Sequence, residues 1–210
     1  MMSAMDPPLL ERVYEGLKAD YLQGHFVPGK KIDIQVLASR HRSSKTPVRE
    51  AAFILVGEGL FTHHADGGFV VPDHNPQEII DLLNLHMKLI AAALSILRET
   101  SIRKVLTQSV NFGHDRSPVE VAIAATGIFV SLADATGNPQ TASTVRHLNE
   151  KIHYSRIAEI SDPAIAQREL QTIVDLNVVN LPKATRRRIE AYHLRKIAHQ
   201  ERIIQNASTS

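Results

Sequence analysis

A tetrapeptide of turn-forming residues, Ala65-Asp66-Gly67-Gly68, limits most strongly what the first part of this 210-residue chain can fold into. It separates two short β-prone runs, residues 60–64 and 69–71. Asp-Gly-Gly between two such runs predicts a β-hairpin, because glycine tolerates the positive φ angles that tight hairpin turns require. A hairpin is therefore expected about sixty residues into the chain, after a segment with a different periodicity.

Three helices are predicted before the hairpin. The first begins with Asp6 as N-cap and Pro7 in the first turn, and ends at Gly24. The second runs from Ile34 to about His41, with Val36 and Leu37 on its apolar face. The third is expected to be capped by Thr46, with Pro47 presetting its first turn and a buried stripe formed by Val48, Ala51, Ala52, Leu55 and Val56. Three helices followed by a hairpin are the element order of a winged helix-turn-helix, which we predict for residues 1–72.

The remainder of the chain is predicted to be helical. A linker over residues 73–76 precedes an all-helical domain over residues 77–210. The helices expected in this part span residues 76–99, 102–110, 118–136, 140–160, 163–180 and 183–205, with a loop at 111–117. The predicted fold class is mainly α: an N-terminal winged helix-turn-helix followed by an all-α helical bundle.

Composition excludes several classes of protein. Hydrophobic residues make up 43% of the chain and charged residues 22%, as in ordinary globular proteins. The longest apolar run, residues 89–97, is far shorter than the roughly 20 residues of a membrane-spanning helix, so no membrane segment is predicted. No secretory signal is recognisable, and cytoplasmic residence is the expectation. The absence of cysteine excludes disulfides, thiolate zinc sites and cysteine nucleophiles.

Positive charge is concentrated locally, although the whole chain carries only +2. Residues 30–49 contain six Lys or Arg residues and one acid, and residues 183–202 contain seven cations and two acids. Such runs are usually solvated faces, so each needs independent support before it indicates nucleic-acid binding.

The first basic window contains a motif. It reads Leu37-Ala38-Ser39-Arg40-His41-Arg42-Ser43-Ser44-Lys45-Thr46-Pro47-Val48-Arg49-Glu50-Ala51-Ala52, and is followed by Glu58-Gly59-Leu60-Phe61 and Gly67-Gly68-Phe69-Val70-Val71. Together with the upstream Pro28-Gly29, this pattern resembles the GntR family of bacterial transcription regulators over residues 9 to 72. The resemblance implies binding of double-stranded operator DNA by a homodimer.

Eight residues are candidate DNA contacts. A recognition helix presents its N-terminal residues to the major groove, and Arg49 could pair with guanine in a bidentate contact. Glycines at the hairpin tip allow close approach to a minor groove. Gln35 stands where some relatives have a DNA-contacting arginine, and Lys45 replaces the family's usual arginine. The predicted set is Gln35, Arg42, Ser44, Lys45, Thr46, Arg49, Gly67 and Gly68.

The helical half resembles, more loosely, the FCD-type effector domain of the FadR subgroup, through the segment Ala133-Asp134-Ala135-Thr136-Gly137-Asn138-Pro139. Many such domains bind a divalent metal through an Asp, a His and two later histidines. The matching positions here hold Ala125 and Phe129, and the later ones, around Leu170 or Gln171 and around Tyr192 or His193, offer at most one histidine. We therefore predict no metal site and no cofactor.

Two histidines are candidate effector contacts, His86 and His193. For His86, on the apolar stripe of its helix, a hydrogen-bonded core or interface histidine is the favoured alternative. The leading hypothesis is a homodimeric regulator modulated by a small molecule of unknown identity. A protein whose helical half only dimerises is the main alternative. An enzyme with an appended DNA-binding domain has little support, because no catalytic constellation is recognisable.

Overall fold

The computed structural model describes residues 8–109 and 116–209. These divide into two compact units, Met1–Asp73 and His74–Ser210. The helices and strands of the first unit are α1 (Leu9–Leu22), α2 (Ile34–Arg40), α3 (Lys45–Gly57), β1 (Thr62–His63) and β2 (Phe69–Val70). Those of the second are α4 (Pro76–Ile96), α5 (Glu99–Ser109), α6 (Pro118–Asp134), α7 (Pro139–Lys151), α8 (His153–Ala158), α9 (Pro163–Val174) and α10 (Leu181–Ser208).

The first unit has the predicted order of three helices and a hairpin. β1 and β2 are antiparallel, with Thr62 opposite Val70 and His63 opposite Phe69. A backbone bridge from Lys31 to Val70 adds a third extended segment beside β2. Helix α1 packs on α3, and the core between them contains fully buried Val13, Leu17, Val48, Ala51 and Leu55. This is a winged helix-turn-helix.

Three local expectations in this unit need correction. The N-cap of α3 is Ser44 rather than Thr46, and the helix begins at Lys45. Pro47 is then the third helical residue, where its missing N–H costs nothing because N–H groups in the first turn have no helical partner. Val36 is exposed, while Leu37 supplies the buried side of the short helix α2. Val56 is only partly buried. The predicted start of α1 at Asp6 and Pro7 lies outside the described residues.

The second unit is an all-helical bundle around α6. Long helix α10 packs along α4, and α4 also packs on α6 and α7. Fully buried Ile128, Phe129 and Leu132 place α6 at the centre of the main core. Asn, Ser or Asp residues cap the starts of α4, α6, α7, α9 and α10, and each cap is followed within two residues by proline.

Several helix boundaries differ from the sequence expectation. The single helix expected over 140–160 is two, because the chain turns at Ile152, and this turn brings Arg156 of α8 back to Asn149 of α7. Helix α9 stops at Val174 rather than Asn180, since Asp175 and the residues after it form a turn that Arg188 holds by hydrogen bonds. Helix α10 begins earlier and ends later than 183–205. The predicted loop at 111–117 lies mostly outside the described residues.

Helix α4 is long and apolar enough to cross a membrane by length and composition, with a mean hydropathy of 1.6 in its most apolar window. The length of the longest uninterrupted apolar run does not reveal this property of α4, because polar residues interrupt its apolar composition. The core helix of a bundle has the same composition, and α4 buries Ile79, Leu83, His86 and Ile90 against its neighbours.

Candidate nucleic-acid interface

The turn between α2 and α3 is held by a carboxylate on α1. Asp20, which is 8% exposed, accepts hydrogen bonds from Arg40 Nη1 at 3.0 Å and from the His41 Nε2 position at 3.0 Å. His25 lies 3.1 Å from its other oxygen. Burial alone raises the pKa of Asp20, but the hydrogen bonds from His25, His41 and Arg40 and the charge of Arg40 bring it below its ordinary value. Asp20 is thus an ionised tether for the turn.

A second tether acts on the backbone of the same turn. Arg12 on α1 donates to the carbonyl of His41 at 2.9 Å and reaches that of Arg42 at 3.5 Å. Arg42 has φ +48°, a left-handed conformation that is unfavourable for a residue with a side chain. The contacts from Arg12 and Asp20 therefore fix the angle at which α3 leaves the turn.

Helix α3 presents its charged residues on the side opposite its core. Pro47, Val48, Ala51 and Ala52 are buried, whereas Ser44, Lys45, Thr46 and Arg49 are exposed. The first turn of a helix leaves N–H groups without helical partners, and these favour a negatively charged ligand such as phosphate. The exposed first turn of α3 is therefore suited to a polyanion.

The hairpin forms a wing with a glycine tip. Gly67 and Gly68 have φ +79° and +89°, so the chain can turn from His64 back to β2. The N–H of Gly67 donates to the His64 carbonyl at 2.9 Å, and Lys31 donates to the Asp66 carbonyl at 3.2 Å. The exposed tip therefore carries a cation beside it and has little side-chain bulk.

A groove of about 910 Å³ lies between these elements. It brings together five of the eight predicted contacts: Gln35, Lys45, Arg49, Gly67 and Gly68. Arg42, Ser44 and Thr46 are exposed but do not line it. Sequence reasoning missed Lys31, Phe53 and His63, which also line the groove. Phe53 could have been found from its position four residues after Arg49, on the exposed side of α3.

The predicted effector residues lie together inside the helical unit, in what we call the histidine chain. His86 and His193 are both 0% exposed, and His86 Nδ1 is 2.7 Å from His193 Nε2. Asn149 Nδ2 donates to His86 Nε2 at 3.0 Å, so His86 carries its proton on Nδ1 and donates it to His193. His193 Nδ1 in turn donates to the Ile189 carbonyl at 2.7 Å.

The histidine chain continues to a buried arginine. Arg156, 5% exposed, donates to Asn149 Oδ1 at 3.0 Å and to Thr126 Oγ1 at 2.9 Å. Burial lowers the pKa of His193 to about 4, although the bond to Ile189 opposes this shift. Burial, with the nearby His193 and Arg156, lowers the pKa of His86 well below its ordinary value. Both rings are therefore neutral at pH 7 and use both nitrogens within the protein.

Apolar residues occupy three of the positions at which the resemblance to FCD-type domains led us to look for metal ligands. Ala125, Phe129 and Leu170 are at most 1% exposed, and the Phe129 ring stands 5.0 Å from His86 and 5.3 Å from His193. Within residues 8–109 and 116–209 no three His, Asp or Glu residues group as metal ligands do. The absence of a metal site remains a prediction that only binding measurements can test.

Comparison with known proteins agrees with the N-terminal architecture. Residues 9–71 match the family model of the bacterial regulatory proteins of the gntR family. The chain is 32% identical over 83 residues to the HTH-type transcriptional repressor GlaR of Escherichia coli (strain K12), which covers 40% of this chain and 38% of that protein. It is 24% identical over 158 residues to the uncharacterized HTH-type transcriptional regulator YdhC of Bacillus subtilis (strain 168), covering 71% of this chain and 70% of that protein.

Solved structures extend the likeness to both units. A candidate transcriptional regulator GntR from Rhodococcus sp. RHA1 superposes with a TM-score of 0.74 at 17% identity, covering 91% of this chain and 96% of that chain. Escherichia coli McbR/YncC gives 0.68 at 18% identity, with 95% and 100% covered. At these identities the likeness shows the fold, which confirms the predicted class of a winged helix-turn-helix followed by a helical domain.

These relatives and the matched family are transcription regulators rather than enzymes, as the sequence predicted. The GlaR match spans 38% of that protein, so this chain covers well under half of that relative's length. Together with the family match and the winged helix-turn-helix geometry, it leads to one conclusion. Residues 9–71 of this chain are therefore similar, in sequence and in fold, to the gntR family of bacterial regulatory proteins.

Proposed function

We propose that this protein is a transcription regulator that binds a pseudo-palindromic operator as a homodimer, through the groove between α2, α3 and the wing. The groove itself is the observation that carries the proposal. It gathers Lys31, Lys45 and Arg49, and its nearest acid, Asp33, is occupied in capping α2 through the N–H groups of Gln35 and Val36. The groove is therefore suited to a negatively charged duplex.

Within this groove, the residues take different parts. Arg49 has the planar fork that matches guanine O6 and N7, and Gln35 can hydrogen-bond a base edge or the backbone. Lys45, in the first turn of α3, is placed for phosphate, and Ser44 and Thr46 beside it add hydroxyl donors. Gly67 and Gly68 let the wing approach the adjacent minor groove. Arg42 lies outside the groove, and we assign it a contact with a flanking phosphate.

A homodimer follows from the operator geometry, because two recognition helices must reach major grooves one turn apart. We infer that the helical unit, an FCD-type domain of the FadR subgroup, holds the two chains together. In the sensing version, a small molecule would bind this unit and shift the population of dimers able to span both half-sites. Such a protein would act in the cytoplasm.

One observation favours the alternative in which the helical unit only dimerises. His86 and His193, our candidate effector contacts, are fully buried and hydrogen-bonded on both ring nitrogens. An effector that used either ring would have to break the histidine chain. Thermal stabilisation of the wild-type protein by members of a metabolite library separates the two versions: a sensing protein is stabilised by its effector, and a purely dimerising one by none.

The central test is Arg49→Ala. Loss of a bidentate guanine contact should weaken binding to an operator, recovered by selection with the full-length protein, by roughly 1–3 kcal/mol per half-site, or about five- to 150-fold for each of the two half-sites. Arg103→Ala is the matched control, since Arg103 is an exposed arginine of the helical unit that pairs with Glu99 at 2.9 Å. If Arg49→Ala stays within a factor of about two of wild type, the assignment of α3 as recognition helix is wrong.

A further inference from the structure

Helix α3 carries one large apolar side chain on its charged face. Lys45, Arg49 and Phe53 follow at intervals of four residues, which places them on one side of the helix, and all three line the groove. Phe53 is 56% exposed, whereas Phe61 and Phe69 of the same unit are buried. Packing within the protein does not explain why a side chain exposed to this degree is a phenylalanine.

The Phe53 ring is nevertheless held in place from behind. It meets Phe69 of the wing edge to face, with centroids 5.1 Å apart and planes at 85°, the arrangement that aromatic pairs prefer. The His63 ring lies 5.8 Å from Phe53 and 5.7 Å from Phe69, so the three rings form one cluster. Because Phe69 is itself buried, at 4% exposure, this pair joins α3 to the wing and leaves the outer half of the Phe53 ring facing the groove.

The charge around the ring limits what can cover it. Lys31, Lys45 and Arg49 surround the same groove, so an uncharged or cationic apolar partner would leave these cations without a counter-charge. A DNA duplex supplies the negative charge and offers one kind of apolar group in its major groove, the C5-methyl of thymine. Phenylalanine is among the side chains that contact this methyl group.

We propose that Phe53 is a specificity-determining residue that contacts a thymine methyl group in each operator half-site. This inference rests on the proposed function and adds to it the identity of a second base. Four residues of helix span about 6 Å, and base pairs rise about 3.4 Å each. The thymine should therefore lie within about two base pairs of the guanine that Arg49 contacts.

The test replaces thymine by deoxyuridine, which removes only the methyl group, one position at a time in the selected operator duplex. Wild-type full-length protein should lose affinity at one thymine per half-site. Burial of one methyl group contributes about 0.8 kcal/mol, which converts to a loss of roughly fourfold per half-site. Fluorescence anisotropy at fixed salt measures each Kd, because salt strongly changes protein–DNA affinity.

Variants of Phe53 assign the effect to this ring. Phe53→Ala should bind the thymine and deoxyuridine duplexes equally, and Phe53→Gln should do the same if the alanine variant fails to fold. Ile54→Ala is the matched control, since Ile54 is a 41% exposed residue of α3 that does not line the groove, and it should keep the fourfold difference.

Two results would overturn the proposal: a wild-type protein indifferent to every thymine replacement, or a Phe53 variant that retains the full methyl effect. In either case specific binding that still depends on Arg49 leaves the proposed function intact. A wild-type protein that selects no duplex would refute the proposed function, and this inference with it.

Discussion

Acidification should destabilise the helical unit through the histidine chain. His193 has its pKa lowered from the ordinary 6.5 to about 4, because burial disfavours the charged ring and the charge of Arg156 adds to this, while the hydrogen bond to Ile189 opposes the shift. Once unfolded, the same side chain binds a proton near pH 6.5. Between pH 6.5 and pH 4 the unfolded state therefore binds more protons than the folded state, and stability falls as the pH falls.

The size of this loss follows from the same two values. Each pH unit in this range costs up to about 1.4 kcal/mol per group, so lowering the pH from 7 to 4 removes about 3 kcal/mol through His193 alone. That is a large part of the roughly 5–15 kcal/mol by which domains are normally stable. His86 adds to the loss in the same direction, since its pKa is also lowered by burial.

A pair of variants separates this effect from the titration of carboxylates. Gln in place of His193 keeps an amide oxygen to accept from His86 but has no proton to gain. Urea unfolding of wild type and His193→Gln, followed by far-UV circular dichroism at several pH values, gives the free energy of unfolding of the helical unit. The difference in the free energy of unfolding between the two proteins should shift by about 3 kcal/mol between pH 7 and pH 4, with the variant becoming relatively more stable at the lower pH.

The control is His199→Gln, which makes the same change at a partly exposed histidine of the same helix outside the histidine chain and should not reproduce the change of about 3 kcal/mol. A constant stability difference between wild type and His193→Gln across the whole range would refute the argument. It would mean that the histidine chain accepts a proton without loss of structure.

Three further predictions concern the tethers and caps. Gly16→Ala places a Cβ 2.6 Å from His41 Nδ1 and should destabilise the first unit by roughly 1–3 kcal/mol and weaken DNA binding. Gly57→Ala is the control and should be tolerated, because a Cβ there meets nothing within 4 Å. Thermal melts and Kd values measure both effects. Asp20→Asn should lower the free energy of unfolding by about 1–3 kcal/mol at pH 7. The effect should be smaller at a pH below the lowered pKa of Asp20, because the wild-type carboxylate is then protonated and its tether is lost too. Equal effects in urea unfolding at both pH values would contradict this. Ser117→Ala removes the capping box of α6 and should cost about 1 kcal/mol in urea unfolding, while Ser117→Asp should largely preserve stability.

Local chemistry explains why much of the fold could be predicted from the sequence. The hairpin was visible in Asp66-Gly67-Gly68, because positive φ angles at a tight turn require glycine. The starts of α6 and α9 were visible in Ser117-Pro118 and Asp162-Pro163, because capping and the fixed φ of proline act within one turn. The break at Ile152 had no such local signal, because it serves contacts that Arg156 makes with side chains of two other helices, Thr126 of α6 and Asn149 of α7.

The candidate site divides in the same way. Arg49 and Lys45 could be assigned from the sequence, because their positions in the first turns of α3 determine which way they face. Only the tertiary structure brings the wing to Phe53, since the contact with Phe69 joins residues of different elements. Likewise, no spacing along the chain relates His86 to His193, which are 107 residues apart and meet because α4 packs on α10. The sequence by itself thus determined the helices, the hairpin and the charged face of α3, because short-range geometry controls them. Only the tertiary structure decided the long-range packing that forms the groove and the histidine chain.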